Sequence, residues 1–191
     1  MNICFFCFEL YFMQRLRKFY NTDVIPKLQN KFGYKSISLV PKINKIVVNR
    51  GFDETCQSSK IVDSLISELS FVTAQRFYIT RSKKAISNFK LKQNVPVGMC
   101  VTLRGDKMYS FFDRLVNLSL PRIRDFQGVN FSGFDGAGNY SLGLKDQSMF
   151  PEIEFDKIIK FKGLDIVIVT TAKTNNEAHF LLKELGMPFR D

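Results

Sequence analysis

The chain has 191 residues, 45% of them apolar and 24% charged, a globular composition sufficient for one substantial core or two small ones. Its four cysteines show no paired spacing beyond one C-x-x-C, which excludes a disulfide framework and favours a reducing compartment; no apolar run is long enough to span a bilayer as a helix. The formal net charge is +10, and much of it is local: between Glu68 and Asp106 there is no acidic residue and there are seven basic ones, Arg76, Arg81, Lys83, Lys84, Lys90, Lys92 and Arg104. Such a window is either a solvated lysine-rich surface or a surface for a dense polyanion, whose neutralised phosphates release counterions.

In chain order, Met1 to Phe12 is apolar apart from Asn2 and Glu9 and reads as an N-terminal extension outside the folded domain, with neither signal-peptide nor transit-peptide character. From Met13 to Phe32 apolar residues recur at helical spacing (Leu16, Phe19, Tyr20, Val24, Leu28), with Pro26 kinking or restarting the helix. Lys42 to Asn49 is rich in Ile and Val and reads as a strand. Ser58 and Ser59 cap a helix that buries Ile61, Val62, Leu65, Ile66, Leu69 and Val72. From Val97 to Arg104 the pattern alternates: Val97, Met99, Val101 and Leu103 face a core, while Cys100, Thr102 and Arg104 face away. Asp106 is expected to cap the next helix, which ends at Pro121. Gly163 to Thr171 is a strand, and the last helix carries a capping box, Thr174 with Glu177, and stops at Gly186. The fold class is therefore α+β, a mainly antiparallel sheet with helices packed on one face and long functional loops, in one domain over residues 13–191.

Catalytic constellations are absent from the sequence. The one histidine, His179, lies in the final helix without a nucleophile motif, and Gly136-Ala137-Gly138 lacks the third glycine of a dinucleotide fingerprint. Cys4 and Cys7 have no second pair at zinc spacing, so no metal and no cofactor is expected. Glu152, Glu154 and Asp156 read first as a solvated face. Binding has better support: Thr80 to Val97 interleaves Arg81, Lys83, Lys84, Lys90 and Lys92 with Phe89, basic groups for phosphates and a ring that can stack.

Four strings in order carry a resemblance over almost the whole chain from Met13: Val101-Thr102-Leu103-Arg104-Gly105, Leu120-Pro121-Arg122-Ile123-Arg124-Asp125-Phe126, Phe134-Asp135-Gly136 with Gly138-Asn139-Tyr140-Ser141, and Thr170-Thr171-Ala172-Lys173. They resemble the large-subunit ribosomal protein five family, which holds 5S ribosomal RNA in the central protuberance. Asn117-Leu118-Ser119-Leu120-Pro121 and the C-terminal Lys183 to Arg190 resemble its cyanobacterial and plastid members. With a composition that points to an A·T-rich genome, a plastid ribosome is the expected location; a bacterial cytoplasm or mitochondrion is the alternative.

The resemblance implies a non-enzymatic structural component with three contacts. Asn49, Gln75, Arg76, Thr102 and Arg104 match positions that grip 5S ribosomal RNA. The loop from Ser82 to Asn94, flanked by Arg81, with Lys83, Lys84, Phe89, Lys90 and Lys92, approaches the tRNA in the peptidyl site. Arg122, Arg124, Asp146, Glu152, Glu154 and Asp156 fall where the family bridges to small-subunit protein thirteen. Further implied partners are 23S-type ribosomal RNA and neighbouring large-subunit proteins, and no membrane. The alternative is a free RNA chaperone or regulatory RNA-binding protein. Two departures from the resembled family stand out: many of its members carry Gly-Gln-Lys-Pro where this chain has Ala74-Gln75-Arg76-Phe77, and the family's Phe-Asp-Gly-Arg-Gly has an arginine where this chain has Ala137.

Overall fold

The computed structural model describes residues 15–52, 59–89, 91–153 and 161–190. The expected extension at 1–12, Cys4, Cys7, Cys56 and the capping Ser58 lie outside these residues.

The N-terminal helix is segmented as its proline requires. α1 (Arg15–Phe19) runs into a π-helical turn, Tyr20–Val24, and then into α2 (Ile25–Phe32). Pro26 sits in the first turn of α2, where a missing N–H leaves nothing unpaired, and the widened turn before it closes through Ile25 N–H donating to the Tyr20 carbonyl. Leu16, Tyr20, Val24 and Leu28, four residues apart, are all buried.

β1 (Ile43–Gly51) follows, then α3 (Ser59–Thr73), β2 (Tyr78–Arg81), β3 (Pro96–Leu103) and α4 (Gly105–Arg114). α4 continues as a π turn, Leu115–Ser119, and a 3-10 turn, Leu120–Arg122, that contains the expected stop at Pro121. β4 (Tyr140–Leu144), β5 (Leu164–Thr170) and α5 (Asn175–Glu184) complete the order.

The five strands form one sheet in the order β2-β3-β1-β5-β4. Each neighbouring pair is antiparallel. Tyr78 lies opposite Cys100 and Thr80 opposite Gly98. Phe52, just past β1, donates to the Val97 carbonyl at the start of β3 at 2.8 Å. Thr171, just past β5, donates to the Lys42 carbonyl before β1 at 2.9 Å. Thr170 N–H reaches Asn139 Oδ1, ahead of β4, at 3.2 Å. The expected α+β fold with an antiparallel sheet is what the chain forms.

Two compact units can be distinguished, one made of Met1–Ile46, Arg104–Leu142 and Val167–Asp191, the other of Val47–Leu103 and Gly143–Ile166. The first buries the α1–α2 stripe, Phe111, Phe112 and Leu115 after β3, Ile168 of β5 and Leu181 and Leu182 of α5. α5 has its Thr174 cap: the Thr174 hydroxyl accepts from Glu177 N–H, while Glu177 Oε2 accepts from Lys173 N–H at 3.1 Å, one residue earlier than a standard capping box. Its end carries paired bonds from Gly186 N–H to the Lys183 carbonyl and Met187 N–H to the Leu182 carbonyl, a Schellman closure.

The string Phe134 to Tyr140 in this unit is a loop organised by one carboxylate. Asp135 accepts from Ala137 N–H at 2.9 Å, Asn139 N–H at 3.0 Å and Asn139 Nδ2 at 2.7 Å, which together hold its pKa below the usual value. Gly138 has φ +83, and a Cβ there would stand 2.8 Å from the Ala172 carbonyl oxygen. Ala137 is exposed and contributes only its N–H, so the loop tolerates alanine at this position.

In the second unit α3 buries Val62, Leu65, Ile66, Leu69 and Val72, and β3 buries Met99, Val101 and Leu103. Arg50 and Gln147 are buried in the same unit at 1% and 0% exposure. Gln147 Nε2 donates to Glu68 Oε2 at 3.3 Å. Burial raises the Glu68 pKa, and the nearby Arg50 charge offsets part of that rise. α3 hands over to β2 through Ala74 at φ +53, a left-handed conformation that glycine adopts freely and alanine does not.

Ala74→Gly should therefore stabilise the chain by roughly 0.5–1 kcal/mol in urea unfolding, the relief of strain exceeding the added unfolded-state freedom. A loss of stability would show that the turn carries no strain. A second expectation concerns His179, packed edge-on against Phe189 at 4.5 Å and Phe131 at 5.3 Å. Burial, then Lys183 and Lys31, lower its pKa from 6.5. A lowered folded pKa means the unfolded chain takes up the proton first, so stability present above pH 6.5 is lost as pH falls through that value. Glu68, with a raised pKa, has the opposite sign at lower pH, so the comparison is made against His179→Phe: the wild-type unfolding midpoint should fall between about pH 7.5 and 5.5 more steeply than the variant's.

Candidate nucleic-acid interface

Strand alternation determines which side chains of the second unit remain available. With Met99, Val101 and Leu103 in the core, Gly98, Cys100 and Thr102 share the opposite face of β3. Gly98 and Cys100 are buried there too, Cys100 at 8% exposure, so Thr102 alone of the three is part-exposed, unlike the outward-facing Cys100 expected from sequence. Register brings Tyr78 and Thr80 of β2 to that same face, opposite Cys100 and Gly98. Gly98 keeps the face shallow and the strands close: a Cβ there would lie 2.7 Å from the Arg50 carbonyl oxygen. In β1, Asn49 is exposed between the buried Val48 and Arg50.

Three of the expected RNA-gripping residues are adjacent on this unit. Gln75 is half-buried and donates from Nε2 to the Thr102 carbonyl at 3.2 Å, beside the start of β2. Thr73 holds the same turn by donating its hydroxyl to the carbonyls of Leu69 and Gln75, at 3.1 and 2.9 Å. Part of Gln75's hydrogen-bonding capacity is thus spent on the fold, leaving its amide oxygen for a ligand. Thr102 is half-buried and Arg76 is exposed.

Arg104 follows β3 by one residue and occupies the N-cap position of α4 with extended backbone and an exposed side chain. Asp106, expected as the cap, is instead in the first turn, where it accepts from Arg17 at 2.8 Å. Gly105, at φ +59, makes a left-handed turn between the extended Arg104 and the helix, so Asp106 falls inside the first turn rather than ahead of it.

The basic loop is a structured hairpin extension of β2 and β3. Ser82 N–H donates to the Val95 carbonyl and Asn94 N–H to the Ser82 carbonyl, each at 3.0 Å. The Ser82 hydroxyl donates to the Lys92 carbonyl at 2.6 Å and accepts from Val95 N–H at 3.2 Å. Arg81, expected among the tRNA-contacting residues, donates to the Asn94 carbonyl at 3.0 Å and so also closes the hairpin base. Farther out, Ile86 and Leu91 pair across the hairpin, and Ser87–Phe89 forms a 3-10 turn. Lys83, Lys84 and Lys92 are exposed, and Phe89 is 68% exposed at the tip. Lys90 lies outside the described residues.

The ion pairs Arg15–Asp113, Arg17–Asp106 and Lys27–Glu184 all lie in the first unit. Arg76, Arg81, Lys83, Lys84, Lys92 and Arg104 take part in none of these. Their positive charge therefore faces solvent, where a polyanion can meet it.

The expected bridge residues fall in both units. Arg122 and Arg124 are exposed in the first, around Asp125 at φ +54. Asp146 is exposed in the second, at the start of the Gln147–Met149 turn, and Glu152 is half-buried, unlike the solvated face expected for it. Glu154 and Asp156 lie outside the described residues. Among the described residues no cluster of three His, Cys, Asp or Glu could hold a metal, and no helix is long and apolar enough to cross a membrane.

Two features of the site were not singled out from sequence. Tyr78 was missed because its neighbours Phe77 and Ile79 mask the alternation, although Phe77 is buried and Tyr78 exposed. The Arg50–Glu68–Gln147 cluster was missed because its members are far apart in sequence.

The model of the family "Ribosomal protein L5" matches residues 36–92, and the model of the C-terminal part of the same ribosomal family matches residues 96–189. The chain is 64% identical over 179 residues to the large ribosomal subunit protein uL5c of Euglena gracilis, covering 94% of this chain and 100% of that protein. Identity to the uL5c of Pleurastrum terricola is 57% over 178 residues, covering 93% and 96%. Identity to the uL5 of Microcystis aeruginosa is 55% over 177 residues, covering 93% and 99%. With both family models matched in order and the relatives aligned almost end to end, the chain belongs to the ribosomal L5 family, on its plastid branch, as a non-catalytic structural component of the large ribosomal subunit.

Proposed function

We propose that the chain, with residues 13–191 working as one functional domain, holds 5S ribosomal RNA in the large subunit through the open face of β1–β3 and the residues that flank it. The observation that carries this reading is the acid-free window from Leu69 to Gly105, whose Arg76, Lys83, Lys84, Lys92 and Arg104 are exposed. Asn49, Gln75 and Thr102 supply polar groups suited to ribose and base edges, and Arg76 and Arg104 supply charge for phosphates. The hairpin tip, with Lys83, Lys84, Phe89, Lys90 and Lys92, contacts the tRNA in the peptidyl site by backbone charge and shape, as a surface that meets every tRNA must. Arg122, Arg124, Asp146, Glu152, Glu154 and Asp156 face small-subunit protein thirteen, with the acidic members complementing a basic partner.

Arg104→Ala should weaken 5S ribosomal RNA binding by about 1–3 kcal/mol and reduce its salt dependence, as removal of a charge-assisted phosphate contact does. A loss under about 0.5 kcal/mol in a gel-shift titration would assign Arg104 to the fold or to solvent. Replacing Lys83, Lys84 and Lys92 together with alanine should leave 5S affinity within about threefold while lowering tRNA cross-linking in assembled ribosomes. Equal damage to both would show that the hairpin and the sheet face do not divide the work.

A further inference from the structure

Among the exposed large apolar residues described, Tyr78 alone belongs to a strand, and it is 57% exposed. Its register partner across the open face is Cys100. The Cys100 thiol beside it pushes the phenol pKa up. The neighbouring positions on that face, Gly98, Thr80 and Cys100, carry only small side chains, and Gly98 and Cys100 are themselves buried. Exposed Asn49 and half-buried Thr102 lie on or beside the same face, and exposed Arg76 precedes Tyr78 by two residues.

A single ring with polar and cationic neighbours is poorly suited to an apolar protein partner, which needs a contiguous patch. It suits a nucleobase, whose π-face stacks on the ring while its edges and phosphates find hydrogen-bond donors and acceptors nearby. We propose that Tyr78 is a stacking platform for an unpaired base of the bound ribosomal RNA, making this sheet face a base-contacting site as well as a phosphate-contacting one. The proposal rests on the RNA-binding reading above.

The test titrates the full chain with 5S ribosomal RNA, comparing wild type with Tyr78→Phe, Tyr78→Leu and Tyr78→Trp, each first checked for an unchanged thermal midpoint. Tyr78→Leu should weaken binding about 5- to 100-fold with an unaltered salt slope, because stacking involves no counterion, and Tyr78→Phe should stay within about threefold of wild type. The chain contains no tryptophan, so Tyr78→Trp introduces its only one, and that emission should be quenched when RNA saturates the protein. A folded Tyr78→Leu protein that binds as tightly as wild type, or tryptophan emission unchanged at saturation, overturns the stacking role while leaving the RNA-binding reading intact. Wild type that fails to bind 5S ribosomal RNA overturns that reading and this proposal together.

Discussion

The site depends on the strict two-residue alternation of β3, held between β2 and β1. Met99, Val101 and Leu103 point to one side of the sheet, so Gly98, Cys100 and Thr102 point to the other, where Gly98 and Cys100 are covered and Thr102 is part-exposed. A shift of one residue would bury Thr102 and expose three large apolar side chains. Two contacts oppose that slip. Gly98 lies so close to the Arg50 carbonyl that no larger residue fits, and Gln75 holds the Thr102 carbonyl just where β2 has yet to begin pairing. The polar face is therefore a consequence of the core, and its geometry is as rigid as the packing behind it.

Charge is arranged on a similar division. In the first unit, Arg15, Arg17 and Lys27 are paired with carboxylates, exposed contacts that contribute little to stability. In the second unit, the basic residues of β2, the hairpin and the approach to β3 extend into a stretch of sequence free of acids. The hairpin that displays them is fastened by backbone bonds and by Ser82, not by the lysines. Fold and charge are separable there, which lets lysine ammonium groups remain hydrated until a phosphate displaces the water. Arg81 is the exception, since its guanidinium also closes the base of the hairpin.

Much of this was legible in the sequence because it is periodic or compositional. The alternation of β3, the helical stripe from Leu16 to Leu28, the restart at Pro26 and the acid-free window all follow from spacing or sign. What was not legible depends on contacts between distant segments or on local competition. Asp106 has the chemistry of a cap, but it falls inside the first turn, after the left-handed Gly105, and Arg17, 89 residues away, takes the carboxylate. Glu152 reads as a surface acid from its neighbours in sequence, yet it is half-buried. Tyr78 lies in a run of three apolar residues whose faces are assigned only once its pairing with Cys100 is known. Ala74 shows a related effect: an alanine takes the left-handed conformation that glycine adopts freely, which composition does not signal.

The central claim is that RNA contacts the open face of β1–β3 and its flanks. The measurement that tests it most directly is ultraviolet cross-linking of the full chain to 5S ribosomal RNA, with cross-linked peptides identified by mass spectrometry. The account predicts adducts within residues 74–104, with α3 and its exposed Phe71 unmodified. Adducts concentrated on α3, with residues 74–104 clear, would contradict it.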